Sequence, residues 1–118
     1  MKYLLTIYGD ESGFEDVNEE DGRQMLEAYT RFGQEAGEAG VLLGGEGLQP
    51  TATATTVRVQ DGDRVVTDGP FAETKEQLGG YYLVECKDQD EAIEWAAKIP
   101  GAQHGSVEVR PVMVFAQD

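Results

Sequence analysis

The residues best suited to chemistry lie in one stretch, positions 67–82, which reads TDGPFAETKEQLGGYY. Its Asp68 precedes Gly69 and Pro70, which stiffen the backbone into a turn. A carboxylate held by such a turn at the mouth of a cleft can act as a general acid or base where water is excluded. Asp is also a frequent turn initiator that accepts hydrogen bonds from its own backbone. The sequence leaves both roles of Asp68 open.

Two cations are candidates for binding an anionic group of a substrate. Lys75 belongs to the same stretch as Asp68, and it forms either an ion pair with a neighbouring carboxylate or a contact with a substrate carboxylate. Arg110 lies two positions after Glu108, so both side chains are expected on one side of the last strand. If that side faces solvent, they form a surface ion pair. If it faces a cleft, Arg110 is the best anion-binding group in the chain.

Three further residues complete the set of candidates. His104, the only histidine, is either a catalytic group or a solvated loop side chain. Glu46 lies in a glycine-rich run and could complete a cleft. Tyr81 and Tyr82 point to opposite faces of a strand, so one belongs to the core while the other can line a pocket. The predicted site therefore has two catalytic groups, Asp68 and His104, and four substrate-binding residues, Glu46, Lys75, Tyr81 and Arg110.

Composition narrows the class of protein. The chain has 118 residues, which suits one domain over positions 1–118, and its formal net charge is −14. This charge disfavours partners such as nucleic acid and anionic membranes, because both attract cationic surfaces. Cys86 is the only cysteine, so no intrachain disulfide forms, and no Cys/His cluster offers a zinc site. We expect no cofactor. The N-terminus reads as a strand rather than a signal peptide, so the expected location is cytoplasmic.

Hydrophobic spacing and capping signals predict the first elements that position these candidates. A strand is expected at positions 3–8. A helix follows from its cap Asn18 to a stop at Gly40. Gly33 and Gly37 either weaken this helix or let it lie close to a sheet. One face of the helix carries Met25, Tyr29, Phe32, Ala36 and Ala39.

The middle of the chain is predicted to be strands and turns. A second strand starts at positions 41–43, and the glycine-rich run 44–47 suggests a bulge in it. Positions 51–55 read as an extended connection. Asp61-Gly62 between two alternating runs predicts a hairpin. The apolar run 81–86 is predicted to be the central strand, with Phe71 as the packing anchor of the loop before it.

A second helix and a last strand complete the predicted elements. Asp88 and Glu91 have the spacing of a capping box, and Pro100-Gly101 stops the helix that they begin. The apolar residues Val107, Val109, Met113 and Phe115 have the alternate spacing of a last strand. Pro111 within it lacks an N–H, so this strand must lie at an edge or contain a bulge.

The order β-α-β-(hairpin)-β-α-β predicts an α+β, ferredoxin-like fold with an antiparallel sheet and both helices on one face. Two helices cover only one face of such a sheet. The other face would expose Tyr, Leu and Val side chains to water, and a patch of that kind marks an interface. We therefore expect a homodimer through the sheet face, which is a dimeric α/β barrel.

The stretch around Asp68 also resembles a family signature. Asp68-Gly69-Pro70-Phe71, continued through residues 73–82, resembles the DGPF-domain type of the YCII-related family, and the resemblance extends over 39–48, 91–96 and 107–112. It implies a dimeric α+β barrel. Many YCII-like members carry a His on the first helix and an Asp further on, which implies an enzyme, but this chain has no His in that helix. Relatives of the DGPF type are often encoded beside, or fused to, alternative sigma factors, which implies a regulatory role.

Two functions remain as alternatives. The first is an enzyme acting on a small anionic molecule, with Asp68 as acid/base and Arg110 or Lys75 binding the anion. The second is a non-catalytic dimeric module that binds a small-molecule ligand or a protein partner. An enclosed pocket in which Asp68, Glu46 and Arg110 converge would favour the enzyme. An Asp68 bonded only to its own backbone would favour the binding module.

Overall fold

Both helices lie on one face of a four-stranded sheet, and a hairpin forms a second, separate sheet. The computed structural model describes residues 1–14 and 17–115. Its strands and helices are, in chain order, β1 (Lys2–Gly9), α1 (Glu19–Glu38), β2 (Leu42–Gly47), β3 (Thr55–Gln60), β4 (Asp63–Asp68), β5 (Gln77–Glu85), α2 (Gln89–Lys98) and β6 (Ser106–Pro111). The predicted α+β, ferredoxin-like class is confirmed.

The strand order of the main sheet is β2-β5-β1-β6, and every neighbouring pair is antiparallel. The strand β5 is therefore internal, as predicted. The strand β6 is an edge strand, so Pro111 removes no hydrogen bond between two inner strands. The register of β2 against β5 shifts between Leu42 and Gly44, so the irregularity lies just before the glycine-rich run 44–47, whose residues pair regularly with β5.

Side-chain caps define the start of each helix. The Oδ1 atom of Asn18 accepts a hydrogen bond from the backbone N–H of Asp21 at 2.8 Å. The Oδ1 atom of Asp88 accepts one from the N–H of Glu91 at 2.9 Å, and the Glu91 carboxylate accepts one from the N–H of Lys87 at 2.8 Å. Both predicted helix starts are confirmed.

The core lies between the sheet and the two helices. Phe32 of α1 meets Tyr82 of β5 with ring centroids 4.8 Å apart, and it meets Trp95 of α2 at 6.1 Å. A Cβ built on Gly33 or Gly37 would have no atom within 4 Å, so the prediction that these glycines allow a close helix–sheet approach is wrong. The buried apolar residues are Tyr3, Leu5, Phe32, Ala36, Val41, Val84, Cys86, Ala92, Ala96 and Ile99.

The hairpin β3–β4 projects from this body. Its turn has positive φ at Asp61 (51°) and Gly62 (83°), which confirms the predicted Asp-Gly turn. The molecule is flat, with principal extents of 51 × 47 × 18 Å. Its radius of gyration is 16.5 Å, against roughly 13.5 Å for a compact chain of this length. A thickness of 18 Å accommodates little more than one sheet and one helix layer, so the hairpin extends sideways and does not cover the sheet.

Two segments differ from the prediction, one before β3 and one at the end of β6. Thr51–Thr53 forms a 3₁₀ turn instead of an extended connection, and a hydrogen bond of 2.9 Å from the N–H of Thr53 to the carbonyl of Pro50 closes it. The last strand ends at Pro111 instead of reaching Phe115. The N–H of Val112 still donates to the carbonyl of Lys2 at 2.9 Å, and residues 112–115 are exposed. Within residues 1–14 and 17–115, no helix is long and apolar enough to cross a membrane.

Candidate functional site

One row of side chains crosses the sheet on the face that no helix covers. The register pairs Glu46 of β2 with Tyr81 of β5, Tyr81 with Thr6 of β1, and Thr6 with Glu108 of β6. Paired residues of neighbouring strands project to the same face. We name this surface the open sheet face; it comprises Leu4, Thr6, Tyr8, Gly44, Glu46, Tyr81, Leu83, Glu108 and Arg110.

The two adjacent tyrosines divide between the faces as predicted. Tyr82 packs against Phe32 on the helix side, where burial raises the pKa of its hydroxyl and the neighbouring Tyr29 adds a smaller upward effect. Tyr81 is half-buried on the open sheet face. Its hydroxyl is therefore the one that can meet a ligand or a partner on that face.

Arg110 and Glu108 point to the same side of β6 and form an ion pair. The Nη2 atom of Arg110 lies 3.1 Å from Oε1 of Glu108, and the two side chains are 71% and 46% exposed. The Thr6 hydroxyl donates a hydrogen bond to the same Glu108 oxygen at 3.4 Å. In a single chain this is the surface pair that the sequence offered as one alternative, and it stabilises the fold by less than ~1 kcal/mol.

Glu46 and Arg110 do not converge in a single chain. They lie on β2 and β6, which are the two opposite edges of the main sheet. Three strand spacings separate them, which amounts to about 14 Å. One small anionic group cannot contact both side chains of the same protomer.

A second polar cluster ties the loop after β4 to the end of the sheet where β1 finishes. The Glu11 carboxylate accepts hydrogen bonds from the N–H and the hydroxyl of Thr51, at 2.8 and 3.0 Å. The backbone N–H of Glu11 donates to Oε1 of Gln77 at 2.8 Å. The Ser106 hydroxyl donates to Oε1 of Glu76 at 3.0 Å. We name residues 69–76 the signature loop; the contacts of Glu76 and of the adjoining Gln77 hold its end in place.

Lys75 and His104 lie at this same end of the sheet. Lys75 precedes Glu76, and His104 lies two positions before Ser106. The pKa of the nearby Asp10 is lowered, chiefly by hydrogen bonds from the hydroxyl and the N–H of Ser12 and to a smaller extent by the charge of Lys75. Both Lys75 and His104 are exposed. Their predicted roles stay predictions.

Asp68 is the last residue of β4, where it pairs with Thr55 and is exposed. The turn after it is held by other groups. The N–H of Gly69, which has φ of +97°, donates to the carbonyl of Ala54 at 2.7 Å, and the Thr56 hydroxyl donates to the carbonyl of Gly69 at 2.8 Å. Among the described residues, the Asp68 carboxylate forms no hydrogen bond that caps its own turn, and it lines neither of the two depressions described below. Its catalytic role stays a prediction.

Phe71 does not anchor the signature loop. Its side chain is 78% exposed, so the prediction that it packs into the core is wrong. The loop is held instead by the polar contacts of Glu76 and Gln77, which leave the aromatic ring on the surface.

Two surface depressions lie away from the candidate residues. One, of about 330 Å³, runs along the outer side of α1 and is open to solvent. A second, of about 190 Å³, lies between α1 and the segment that follows α2. None of the six candidate residues lines either depression. Among residues 1–14 and 17–115 no group of three His, Cys, Asp or Glu side chains is placed to hold a metal ion.

Comparison with known proteins assigns the chain to a family. A family model for the YCII-related domain matches residues 1–116. The chain belongs to the YCII-related family. It is also 38% identical, over 117 residues, to an uncharacterised protein of Rhizobium meliloti (strain 1021), with 98% of this chain and 94% of that protein covered. The resemblance seen in the sequence is confirmed at the level of the YCII-related family, while the DGPF type stays a prediction.

Sequence reasoning missed part of the row on the open sheet face of this YCII-related protein. Thr6 joins Tyr81 to Glu108, yet it was not among the candidates. Alternation within β1 could have found it, because Thr6 falls on the side opposite the buried Tyr3 and Leu5. Its place next to Glu108 depends on the register between β1 and β6, which alternation alone does not fix.

Proposed function

We propose that this protein is a homodimeric binding module that holds a small molecule with an anionic group at the open sheet face. The observation that carries the proposal is the uncovered row from Glu46 through Tyr81 to Glu108, with Arg110 beside its end. Arg110 supplies a guanidinium for the anionic group, and Tyr81 supplies a hydroxyl. The leucines of the face, Leu4 and Leu83, supply an apolar floor of the kind that ligand sites use.

A second copy is needed to make this surface a site. Leu4, Tyr81 and Leu83 are half-buried and lie on a face that no helix covers, which favours an interface there. In a single chain Arg110 is mostly in water, where a contact with an anion contributes little. Packing two open sheet faces together would exclude water and strengthen each polar contact between them.

The geometry favours binding over catalysis. A general acid or base must lie within hydrogen-bond reach of the reacting group. Asp68 is exposed on the hairpin, while Glu46 and Arg110 lie on opposite edges of the main sheet. The three carboxylate and guanidinium groups that an enzyme would need together are therefore apart in one protomer.

The enzyme alternative keeps one supporting observation. The register of the hairpin places Asp68 on the same side as Val57 and Val66. Any surface that covers those valines also draws Asp68 away from water, which is what an acid/base carboxylate requires. The association with sigma factors and the cytoplasmic location stay predictions.

The proposal is tested by thermal denaturation in the presence of phosphate and a panel of small mono- and dicarboxylates. A ligand at a hundred times its dissociation constant stabilises the protein by about 2.7 kcal/mol. We expect Arg110→Gln to lose this shift. Arg58→Gln is the matched control, because Arg58 is an exposed arginine on the hairpin. Equal loss in both variants, or no shift with any compound in the wild type, would contradict the proposal.

A further inference from the structure

The hairpin has one apolar side that nothing in its own chain covers. The register pairs Val57 with Val66, Val59 with Arg64, and Thr55 with Asp68. The three valines on this side are 57%, 55% and 72% exposed for positions 57, 66 and 59. We name this surface the valine face; it comprises Thr55, Val57, Val59, Arg64, Val66 and Asp68.

A hairpin with an uncovered apolar side needs a surface to pack against. An isolated two-stranded hairpin is marginally stable in water. In the part of the chain that the structure describes, β3 and β4 pair extensively only with each other, and none of their residues is buried. The flat shape of the molecule shows that the hairpin does not fold back over its own sheet.

We propose that the valine face of each protomer docks on the open sheet face of a second copy of this chain. This inference rests on the homodimer proposed above and specifies how it is built. Two surfaces of one chain are uncovered, one on the hairpin and one on the main sheet. In a dimer with two-fold symmetry each hairpin meets the partner's sheet, so one contact formed twice covers both valine faces and part of both open sheet faces.

The size of the surfaces supports this arrangement. Four strands about 4.8 Å apart and six residues long, at about 3.3 Å each, give the open sheet face a footprint of roughly 400 Å². A stable dimer buries about 800 Å² per partner. The sheet face alone falls well short of that area. The hairpin, two strands wide and six residues long, adds roughly 200 Å² per protomer and brings the contact much closer to it.

Charge supports the same partner. A chain with a net charge of −14 repels its own copies, so an interface between copies needs its few cations in the right places. The valine face carries one of them, Arg64. The open sheet face carries Glu46, which has no ion pair among the described residues, whereas Glu108 is already paired with Arg110. We therefore assign Arg64 of one copy to Glu46 of the other.

This arrangement also completes the candidate site. Asp68 lies on the valine face four residues after Arg64, so docking places it on the open sheet face of the other copy, about 13 Å from the Glu46 that Arg64 meets. The residues that one chain keeps apart are then shared between two chains. The second copy contributes residues to the site, and the site is incomplete without it.

The test compares two neighbouring valines of β4 that point to opposite sides of the hairpin. Val66 belongs to the valine face, whereas Val65 pairs with Arg58 on the other side. Sedimentation velocity over a dilution series measures the dimer dissociation constant of Val66→Glu and of Val65→Glu. We expect Val66→Glu to raise that constant about a hundredfold, because each dimer then buries two unpaired carboxylates. We expect Val65→Glu to change it by no more than about threefold.

The control measurements separate this inference from the proposed dimer. Because the hairpin makes little contact with the body, both variants should keep the circular dichroism of the wild type. Equal dissociation constants for the two variants, with a dimeric wild type, overturn the docking of the valine face and leave the dimer standing. A monomeric wild type overturns both.

A charge exchange tests the assigned pair. Arg64→Glu should weaken the dimer, and adding Glu46→Arg to the same chain should restore most of the lost affinity. Restoration supports the contact across the interface, because these two residues lie in separate sheets of one chain. Weakening of the dimer by both single changes without restoration in the double variant overturns the assignment.

Discussion

The glycine pair of the signature stretch gives the sharpest test of the fold around the site. A Cβ on Gly80 would lie 2.8 Å from the carbonyl oxygen of Glu46 and 3.4 Å from the Cα of Gly47, both in the neighbouring strand β2. A Cβ on Gly79 would meet its nearest atom, the carbonyl oxygen of Ile7, at 3.9 Å. We therefore expect Gly80→Ala to destabilise the protein and Gly79→Ala to be tolerated.

The geometry sets the size of the difference. A carbon atom makes an ordinary contact at about 3.5 Å, so β2 must retreat from Gly80→Ala by roughly 0.7 Å, and overpacking of that kind costs about 1–3 kcal/mol. Replacing glycine by alanine also restricts the unfolded chain, which stabilises by about 0.4–1 kcal/mol. The net expectation is a loss of about 1–2 kcal/mol for Gly80→Ala. For Gly79→Ala it is a change between zero and a gain of about 1 kcal/mol.

Thermal and urea denaturation of the two variants measure this difference. For a domain of this size, 1 kcal/mol corresponds to a change in Tm of about 4 °C, so the two variants should differ by roughly 8 °C. All samples need the same chain concentration, because the dimer proposed above would make Tm depend on it. If Gly80→Ala is as stable as the wild type, or if both variants lose the same stability, the close approach of β2 and β5 at this position is not as described.

The remaining predictions concern the helices and the buried thiol. Gly33→Ala and Gly37→Ala should each raise the free energy of unfolding by up to about 1 kcal/mol in urea denaturation, because a Cβ at either position has free space; a loss of stability would show a helix–sheet contact that we do not see. Burial, and then the charge of Glu91, raise the pKa of the Cys86 thiol. Cys86 should therefore react with a thiol reagent at pH 8 far more slowly in the folded protein than in urea, and equal rates would contradict its burial. Because this pKa is raised on folding, the stabilisation it brings is complete below the thiol's ordinary pKa and is lost as pH rises through the folded value.

Local signals in the sequence were enough for the helix starts, the hairpin turn and the fold class. Asn18 and Asp88 cap the two helices, and Asp61-Gly62 forms the hairpin turn. These features could be predicted because each depends only on residues close by in the sequence. The order of elements then predicted the fold class, and the apolar run 81–86 predicted the internal place of β5.

The features that could not be predicted from the sequence depend on contacts between distant segments. The alternation of β3 and β4 is the same for a hairpin inside a sheet and for one that projects from it, so the sequence could not show that this hairpin stands apart. Phe71 was assigned to the core because large aromatic residues are usually buried, yet the polar contacts of Glu76 and Gln77 hold its loop and leave the ring outside.

The candidate site was predicted as a set of residue types but not as a geometry. The assignment of Tyr81 to one face and Tyr82 to the other follows from strand periodicity, and the structure confirms it. The distance between Glu46 and Arg110 depends on the order of the four strands in the sheet. The periodicity of each strand does not determine that order. Whether Asp68 joins them depends on a second chain, which no property of a single sequence determines.

The central claim is that the open sheet face is closed by a second copy of the chain. Its most direct test is the mass of the wild-type protein in solution, measured by sedimentation equilibrium at micromolar concentration. The account predicts a mass of twice the 12.9 kDa of one chain, falling to the monomer only on strong dilution. A mass of one chain at micromolar concentration would contradict it.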